Sequence, residues 1–143
     1  MILELHLIPQ TSFNCNLRNI LGEKWPELSR RIRDSHNRTC QFCGVKENAA
    51  RRLYTHCHEV WEYDEKTEVQ KLVGFECLCP DCHAVHHWEY SKIAGRNLKS
   101  LLKHACKVNK CSEKEFIKHI EEARNIWLKR SSTQWKMDYG ECV

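Results

Sequence analysis

Two pairs of closely spaced cysteines constrain the fold of this chain more than any other feature of its sequence. One pair is Cys40 and Cys43, the other is Cys79 and Cys82, and two residues separate the members of each pair. That spacing allows two thiolates from one turn to bind the same tetrahedral zinc ion. Together the pairs predict one structural Zn²⁺ with four sulfur ligands, which joins segments that lie far apart along the chain.

The other cysteines form no second set with that spacing, and we expect most of them to be buried free thiols. They are Cys15, Cys57, Cys77, Cys106, Cys111 and Cys142. Paired metal-ligand spacing is typical of a reducing compartment, where disulfides are rare. The first ten residues contain apolar side chains but no basic segment and no small-residue cleavage site. No stretch approaches the roughly 20 apolar residues of a membrane span, so we predict a cytoplasmic protein without a membrane segment.

The composition indicates one folded domain that could bind a polyanion. Hydrophobic residues make up 41% of the 143 residues and charged residues 29%, with only five glycines and three prolines. These proportions are typical of a folded chain of single-domain size, here 1–143. The formal net charge of +4 is by itself a weak indication of a polyanionic partner. The basic residues that flank the central motifs are the first candidates for phosphate contacts: Arg51, Arg52, Lys92 and Arg96.

The periodicity of apolar residues predicts both strands and helices. Residues 51–61 and 69–78 are rich in β-formers and are predicted to form a hairpin. The second cysteine pair then leads directly into a short helix at 83–90. The remaining predictions are a strand at 2–8, helices at 23–36, 96–108 and 113–130, a capping box from Ser112 and Glu115, and a strand or extended arm at 133–139. Three tryptophans are predicted to be core residues: Trp61, Trp88 and Trp127.

Two histidines follow the second cysteine pair at helical spacing. His83 comes directly after Cys82, and His87 comes four residues later. Residues i and i+4 share a helix face, so both imidazoles can point at one place, and this spacing favours His87 over its neighbour His86. A zinc ion would clamp the hairpin to the start of the helix and fix the distance between strand and helix side chains. A second, open metal site would then be left for catalysis.

The order of these motifs resembles the HNH endonucleases, specifically their zinc-bound branch. The likeness rests on CxxC, CHEVWEYD and LVGF-x-CLCPDCHAVHH, and on the flanking ELHLIP, Asn16-Leu17-Arg18, VNKCSEKEFIKHIEEA and W-K-M-D. It implies an α+β fold with a zinc-stapled ββα-metal core at about 38–90, additional N- and C-terminal helices, and a helical extension at about 91–131. It also implies hydrolysis of phosphodiester bonds, most simply in double-stranded DNA, with a divalent cation such as Mg²⁺ or Mn²⁺.

Residue by residue, the resemblance implies two metal sites. The structural zinc ligands match Cys40, Cys43, Cys79 and Cys82. His83 and His87 match residues at the catalytic cation or its phosphate. The strand pair His58-Glu59 matches the family's ligand and base, in two alternative ways. In one alignment His58 is a metal ligand and Glu59 is the base or a second ligand; in the other, His58 is the base.

The chain departs from the family pattern five residues before the second cysteine pair. Gly74 stands there in place of an Asn that usually braces the hairpin loop or reaches the metal. This departure bears on the geometry of the loop and on the catalytic rate. His56 shares a strand face with His58, because alternate strand residues point the same way, and it either joins the site or is exposed.

Two other functions use the same residues. A zinc-dependent deaminase would place Cys57-His58-Glu59 with Cys79 and Cys82 around a catalytic zinc, which leaves the first cysteine pair without a role. An HNH-shaped zinc module that has lost catalysis would bind DNA or another protein, and Gly74 and the unusual His58-Glu59 pair motivate this alternative.

Overall fold

A long antiparallel hairpin forms the centre of the computed structural model, which describes residues 1–142. Its strands are β1 (His56–Asp64) and β2 (Val69–Leu78), paired from His56 with Leu78 to Asp64 with Val69. The second strand has the predicted bounds. The first starts five residues later than predicted, because Ala49–Arg51 form a 3₁₀ turn and Arg52 adopts a left-handed conformation with φ 53°.

A β-bulge interrupts the hairpin near its middle. Val60 pairs with Gly74 and Trp61 pairs with Leu72, so Val73 is an extra residue in the second strand. Residues on the tip side of the bulge therefore face opposite to what regular alternation predicts. Gln70 and Leu72 lie on the face of Trp61, whereas Glu76 lies on the face of His58. Gly74 is thus part of a strand, beside the bulge, and not part of the connecting loop.

The predicted C-terminal strand is present and completes the sheet. Strand β3 (Lys136–Asp138) pairs in parallel with Val69–Lys71, which gives the strand order β1-β2-β3. The hairpin strand β1 is therefore left at an edge.

Within residues 1–142, six α-helices accompany this sheet: α1 (Leu17–Leu21), α2 (Trp25–Ser35), α3 (Pro80–His86), α4 (Trp88–Ile93), α5 (Leu98–Asn109) and α6 (Glu113–Arg130). The predicted helices α2, α5 and α6 are confirmed within two residues at each end. The capping box of α6 is also confirmed, with reciprocal bonds of 2.8 and 3.2 Å between Ser112 and Glu115. The predicted short helix is divided at His87 into α3 and α4, and α1 was not predicted.

The predicted strand at 2–8 is wrong. This segment is extended but forms no ladder, because its backbone donors bind to helices instead. The amides of Ile2 and Leu3 donate to the Asn109 side chain, and the amide of Leu5 donates to the His119 ring. The amide of His6 donates to the carbonyl of His86 over 2.9 Å. The segment therefore joins the helical layer and lies against α3, α5 and α6.

Apolar side chains form two clusters. The larger one, between the N-terminal segment and helices α3 to α6, contains Leu3, Leu5, Leu7, Leu78, Val85, Trp88, Leu101 and Phe116. The smaller one lies under α1 and α2 and contains Leu17, Trp25, Cys57 and Leu72. Trp88 is fully part of the core as predicted, while Trp61 and Trp127 are half-buried against it. The fold is α+β, and helices α2 and α3 pack against its hairpin.

Among residues 1–142, none of the helices combines the length and the apolar character that crossing a bilayer requires.

Candidate metal sites and an adjoining cavity

The four predicted zinc ligands come from two structurally different turns. Cys40 and Cys43 lie in a tight loop closed by a bond from Gly44 to the Cys40 carbonyl and by a bridge between Thr39 and Lys46. Gly44 has φ +76°, a conformation that favours glycine. The second pair starts α3, where Cys79 is the N-cap and its sulfur accepts the amide hydrogen of Cys82 over 3.4 Å.

The sulfur atoms of these cysteines converge on one point. Cys40, Cys43, Cys79 and Cys82 all place Sγ within 4.8 Å of one another. The Cys43 and Cys79 sulfurs are 3.6 Å apart, close to the edge of about 3.8 Å that a tetrahedral site with Zn–S bonds of about 2.3 Å requires. A hydrogen bond with Cys40 raises the pKa of Cys79 to about 12. Four thiolates this close together repel one another unless a cation lies between them. The four sulfur ligands therefore fit a closed structural zinc site.

His104 is a neighbour of this cluster that the sequence pattern did not identify. Its Nε2 lies 3.1 Å from the sulfur of Cys82. An imidazole N–H donated to a ligand sulfur holds the thiolate in place and reduces its charge. His104 belongs to α5, so the contact ties the C-terminal helices to the cysteine cluster.

The three predicted histidines lie together at a separate place. His58, His83 and His87 each offer a ring nitrogen within 4.8 Å of the others. Their ring centroids are 5.2, 5.0 and 4.8 Å apart, and the rings meet edge to face. Burial lowers the pKa of His83 to about 2 and that of His87 to about 4. Neutral imidazoles have a free lone pair, so this histidine trio can bind a cation.

Glu59, the fourth predicted catalytic residue, points to the other face of β1. Its carboxylate accepts the amide hydrogen of Leu17 over 2.8 Å, at the first residue of α1. Burial raises the pKa of Glu59. The structure therefore brings together three of the predicted catalytic side chains and places the carboxylate of Glu59 at a helix terminus.

His56 is exposed and still contacts the trio. Its Nδ1 lies 2.9 Å from Nδ1 of His83. His56 was predicted either to join the site or to be exposed, and the structure shows both.

His6 is a site residue that sequence reasoning missed. Its Nδ1 lies 3.0 Å from Nε2 of His58, although the two residues are 52 positions apart. Burial lowers the pKa of His6 to about 3. The contact occupies one nitrogen of His58 and leaves Nδ1 of His58 for the trio. The only sequence signal was a histidine in the flanking ELHLIP segment.

His86 has a different role from its neighbour His87. It is fully buried, with Nδ1 2.6 Å from the Glu4 carbonyl and Nε2 2.9 Å from the Glu76 carboxylate. Both oxygens are hydrogen-bond acceptors, and each faces one nitrogen of the His86 ring. This pair holds the N-terminal segment against the hairpin.

His6, His58, Glu76 and His86 are also close enough to suggest a further cation site. The ring planes argue against one. The rings of His6 and His86 are stacked with centroids 3.8 Å apart and 7° between their planes. Imidazole lone pairs lie in the ring plane, so two parallel rings cannot both point at an ion about 2.0–2.1 Å away. His6 is hydrogen-bonded to His58, and the ring of His86 stacks on it, so these residues fix the position of His58.

A cavity of about 310 Å³ opens beside the histidine trio. Its walls include the aromatic side chains Phe13, Trp25, Trp61 and Tyr90, together with the polar groups Asn16, Arg18, Glu59 and Gln70. Arg18 comes from the exposed side of α1 and was not among the predicted phosphate contacts. Of the residues that were, Arg96 is paired with Asp81 at 2.8 Å and Lys92 with Glu89 at 3.4 Å. Arg51 and Arg52 are exposed.

The deaminase arrangement is not formed. Cys57 packs in the smaller apolar cluster with Leu17 and Trp25, on the face opposite to His58. Cys79 and Cys82 lie instead with the first cysteine pair.

Comparison of the chain with protein-family models, with curated proteins and with solved structures finds no match. The support for a function therefore comes from the residues and their geometry.

Proposed function

We propose that this protein is a metal-dependent endonuclease of the HNH type, which hydrolyses phosphodiester bonds in DNA. One observation supports this most. A strand histidine, His58, and two helix histidines, His83 and His87, meet at the mouth of a cavity. A separate cluster of four cysteines joins the 40–43 loop to the start of the helix that carries His83, and β2, which leads into that helix, pairs with the strand of His58. The positions of the three rings are thus fixed before substrate binds.

In this proposal His83 and His87 hold the catalytic cation, with Mg²⁺ or Mn²⁺ as the candidates. Such a cation supplies a positive charge that binds a phosphate oxygen and stabilises the leaving oxygen. The low pKa values of His83, about 2, and His87, about 4, keep both rings neutral at physiological pH, as ligation requires.

We assign His58 as the general base. Burial lowers its pKa, so the ring is neutral and has a free lone pair. If Nε2–H of His58 donates to Nδ1 of His6, then Nδ1 of His58 carries the lone pair that takes a proton from the attacking water. His6 is then a positioning residue, which fixes the orientation and the tautomer of the base. Glu59 contributes indirectly, through its bond to the start of α1.

The test is nicking of supercoiled plasmid by the zinc-loaded protein with added Mg²⁺ or Mn²⁺. We expect His58→Ala and His83→Ala each to reduce the rate at least about 100-fold, the lower range for loss of a general base. The matched control is His36→Ala, since His36 lies at the end of α2 and outside the trio. Cleavage by both site variants at the rate of the parent protein would refute the site.

Titration with Mn²⁺ separates the two roles left open for His58. A base can be removed without loss of the cation, so His58→Ala should bind Mn²⁺ with nearly the affinity of the parent protein. Loss of Mn²⁺ binding in this variant would make His58 a ligand instead. His83→Ala should lose Mn²⁺ affinity in either case.

A DNA- or protein-binding module without catalysis is the second candidate. It is favoured by Gly74, which has no side chain to direct toward the histidine trio. A protein that holds one tight zinc, binds DNA and leaves plasmid intact with every divalent cation would have this function.

A further inference from the structure

The cavity beside the histidine trio is lined by two chemically different groups of side chains. One group is aromatic: Phe13 and Tyr90 are 52% and 58% exposed, with ring centroids 6.5 Å apart, and Trp61 and Trp25 are more buried. The other group consists of Arg18 and the trio members His58, His83 and His87. A ligand that fills this space needs a flat apolar part joined to an anionic part.

Gln70 adds a specific requirement. Its side chain lines the cavity, its residue is 1% exposed, and its Oε1 has no hydrogen-bond partner within residues 1–142. A buried acceptor without a donor costs the full desolvation of that group, about 1–3 kcal/mol. The bulge at Val73 is what turns Gln70 to the face of Trp61. A ligand that brings an N–H donor to Gln70 would satisfy this acceptor.

Glu59 is the one acidic group in the cavity wall, and two neighbouring groups offset its repulsion of an anion. One of its oxygens accepts the amide hydrogen of Leu17. Burial raises the pKa of Glu59. Arg18 supplies a positive charge in the same wall.

We propose that this cavity binds one unstacked nucleobase, from the nucleotide next to the phosphate that the histidine trio would hold. The base would stack on Phe13 and Tyr90, and an N–H group on its edge would donate to Gln70. A cavity of 310 Å³ has room for one base. The substrate is then DNA that is single-stranded at the cleavage site, or duplex from which one base has been flipped out. This inference rests on the proposed nuclease function.

The experiment is a fluorescence titration of the zinc-loaded full chain, with no added divalent cation. Trp25 and Trp61 line the cavity and report its occupation. The probe is dAMP, and deoxyribose 5-phosphate, which has no base, is the matched ligand. We expect saturable quenching by dAMP and none by the sugar phosphate at the same concentrations. Equal quenching by both ligands would overturn the proposal, because the phosphate alone would then account for binding.

Two variants test the base contacts. Phe13→Ala should raise the Kd for dAMP at least about five-fold, since it removes a stacking surface. Gln70→Leu should raise the Kd about ten-fold, while its Tm stays equal to the parent value or increases, because an unpartnered buried acceptor is removed. Tyr54→Ala is the control for loss of an exposed aromatic ring, since Tyr54 is 49% exposed and lies outside the cavity.

Unchanged dAMP affinity in both Phe13→Ala and Gln70→Leu would refute the base site. If plasmid is still cut in that case, the nuclease proposal stands without it. If the variants lose dAMP but the parent protein never cuts plasmid, the cavity binds nucleotides and the nuclease function is wrong.

Discussion

His86 and His87 are neighbours in sequence with different environments. His86 is buried between the Glu4 carbonyl and the Glu76 carboxylate, whereas His87 faces His58 and His83. Both residues lie within one helical turn of His83, three and four positions on, so their partners and not the spacing rule separate these two roles. The same rule could not predict His6, whose contact depends on a segment folding back across the hairpin.

Gly74 provides a prediction for a single side chain. An added Cβ at this position meets nothing within 4 Å, and its φ lies outside the left-handed region. Gly74→Asn, which introduces the residue of the HNH pattern, should therefore change the free energy of unfolding by less than about 1 kcal/mol. Urea denaturation measures this.

Gly44→Val is the comparison for Gly74→Asn. Gly44 also has open space around it but adopts φ +76°. A β-branched residue is strained there, so this variant should lose clearly more stability. A larger loss of stability in Gly74→Asn than in Gly44→Val would show that Gly74 does not have an ordinary strand conformation.

At the scale of elements, the cysteine cluster joins three parts: the 40–43 loop, the end of β2 and the start of α3. Zinc-binding energy in such units is largely folding energy. Neither the loop nor α3, seven residues long, is expected to be stable alone.

Cys79→Ser should therefore cause local unfolding of these parts. Hydrogen exchange should show loss of protection at the amides of Gln41 and Cys77, which bond the loop to β2, and at the amide of His83, which donates to the Cys79 carbonyl at the start of α3. The zinc content should fall in parallel. Cys15→Ser is the control, since Cys15 lies outside the cluster. Full protection in Cys79→Ser would mean that packing, and not the metal, holds the hairpin to the helix.

The sequence also predicts some helices and strands better than others. Helix α6 and strand β2 match their predicted bounds, because a capping box and a run of β-formers are local signals. Helix α1 has only five residues, and its start depends on Asn16 and on the distant Glu59 carboxylate. The N-terminal segment alternates like a strand, yet its donors bind Asn109 and His119. Long-range partners of this kind decide the structure where local pattern is ambiguous.

For the whole molecule, the buried histidines make stability depend on pH. Burial lowers the pKa values of His6, His83 and His87 from 6.5 to about 3, 2 and 4. Between the folded values and 6.5 the unfolded chain binds more protons than the folded one, so stability rises with pH in that window. Their contribution is complete above pH 6.5 and is lost progressively as the pH falls below it.

We therefore expect the Tm to fall between pH 7 and pH 5, as thermal melts would measure. The variant His87→Asn removes one of these groups and should have a shallower dependence, whereas His36→Asn should keep the parent slope. A zinc-sensitive dye added to the same samples separates this effect from loss of metal by thiolate protonation. A Tm that stays constant over this range would contradict the pKa directions.

Because Val73 is the extra residue of the bulge, strand β2 should tolerate its deletion. Deletion of that residue would convert the bulge into regular pairing and leave Gln70 and Glu76 on their present sides. Deletion of a residue between the bulge and either end would turn part of the strand over and exchange a core side chain for a polar one. Homologues should therefore differ in length at Val73 and at the 65–68 tip, and agree in length elsewhere in the hairpin.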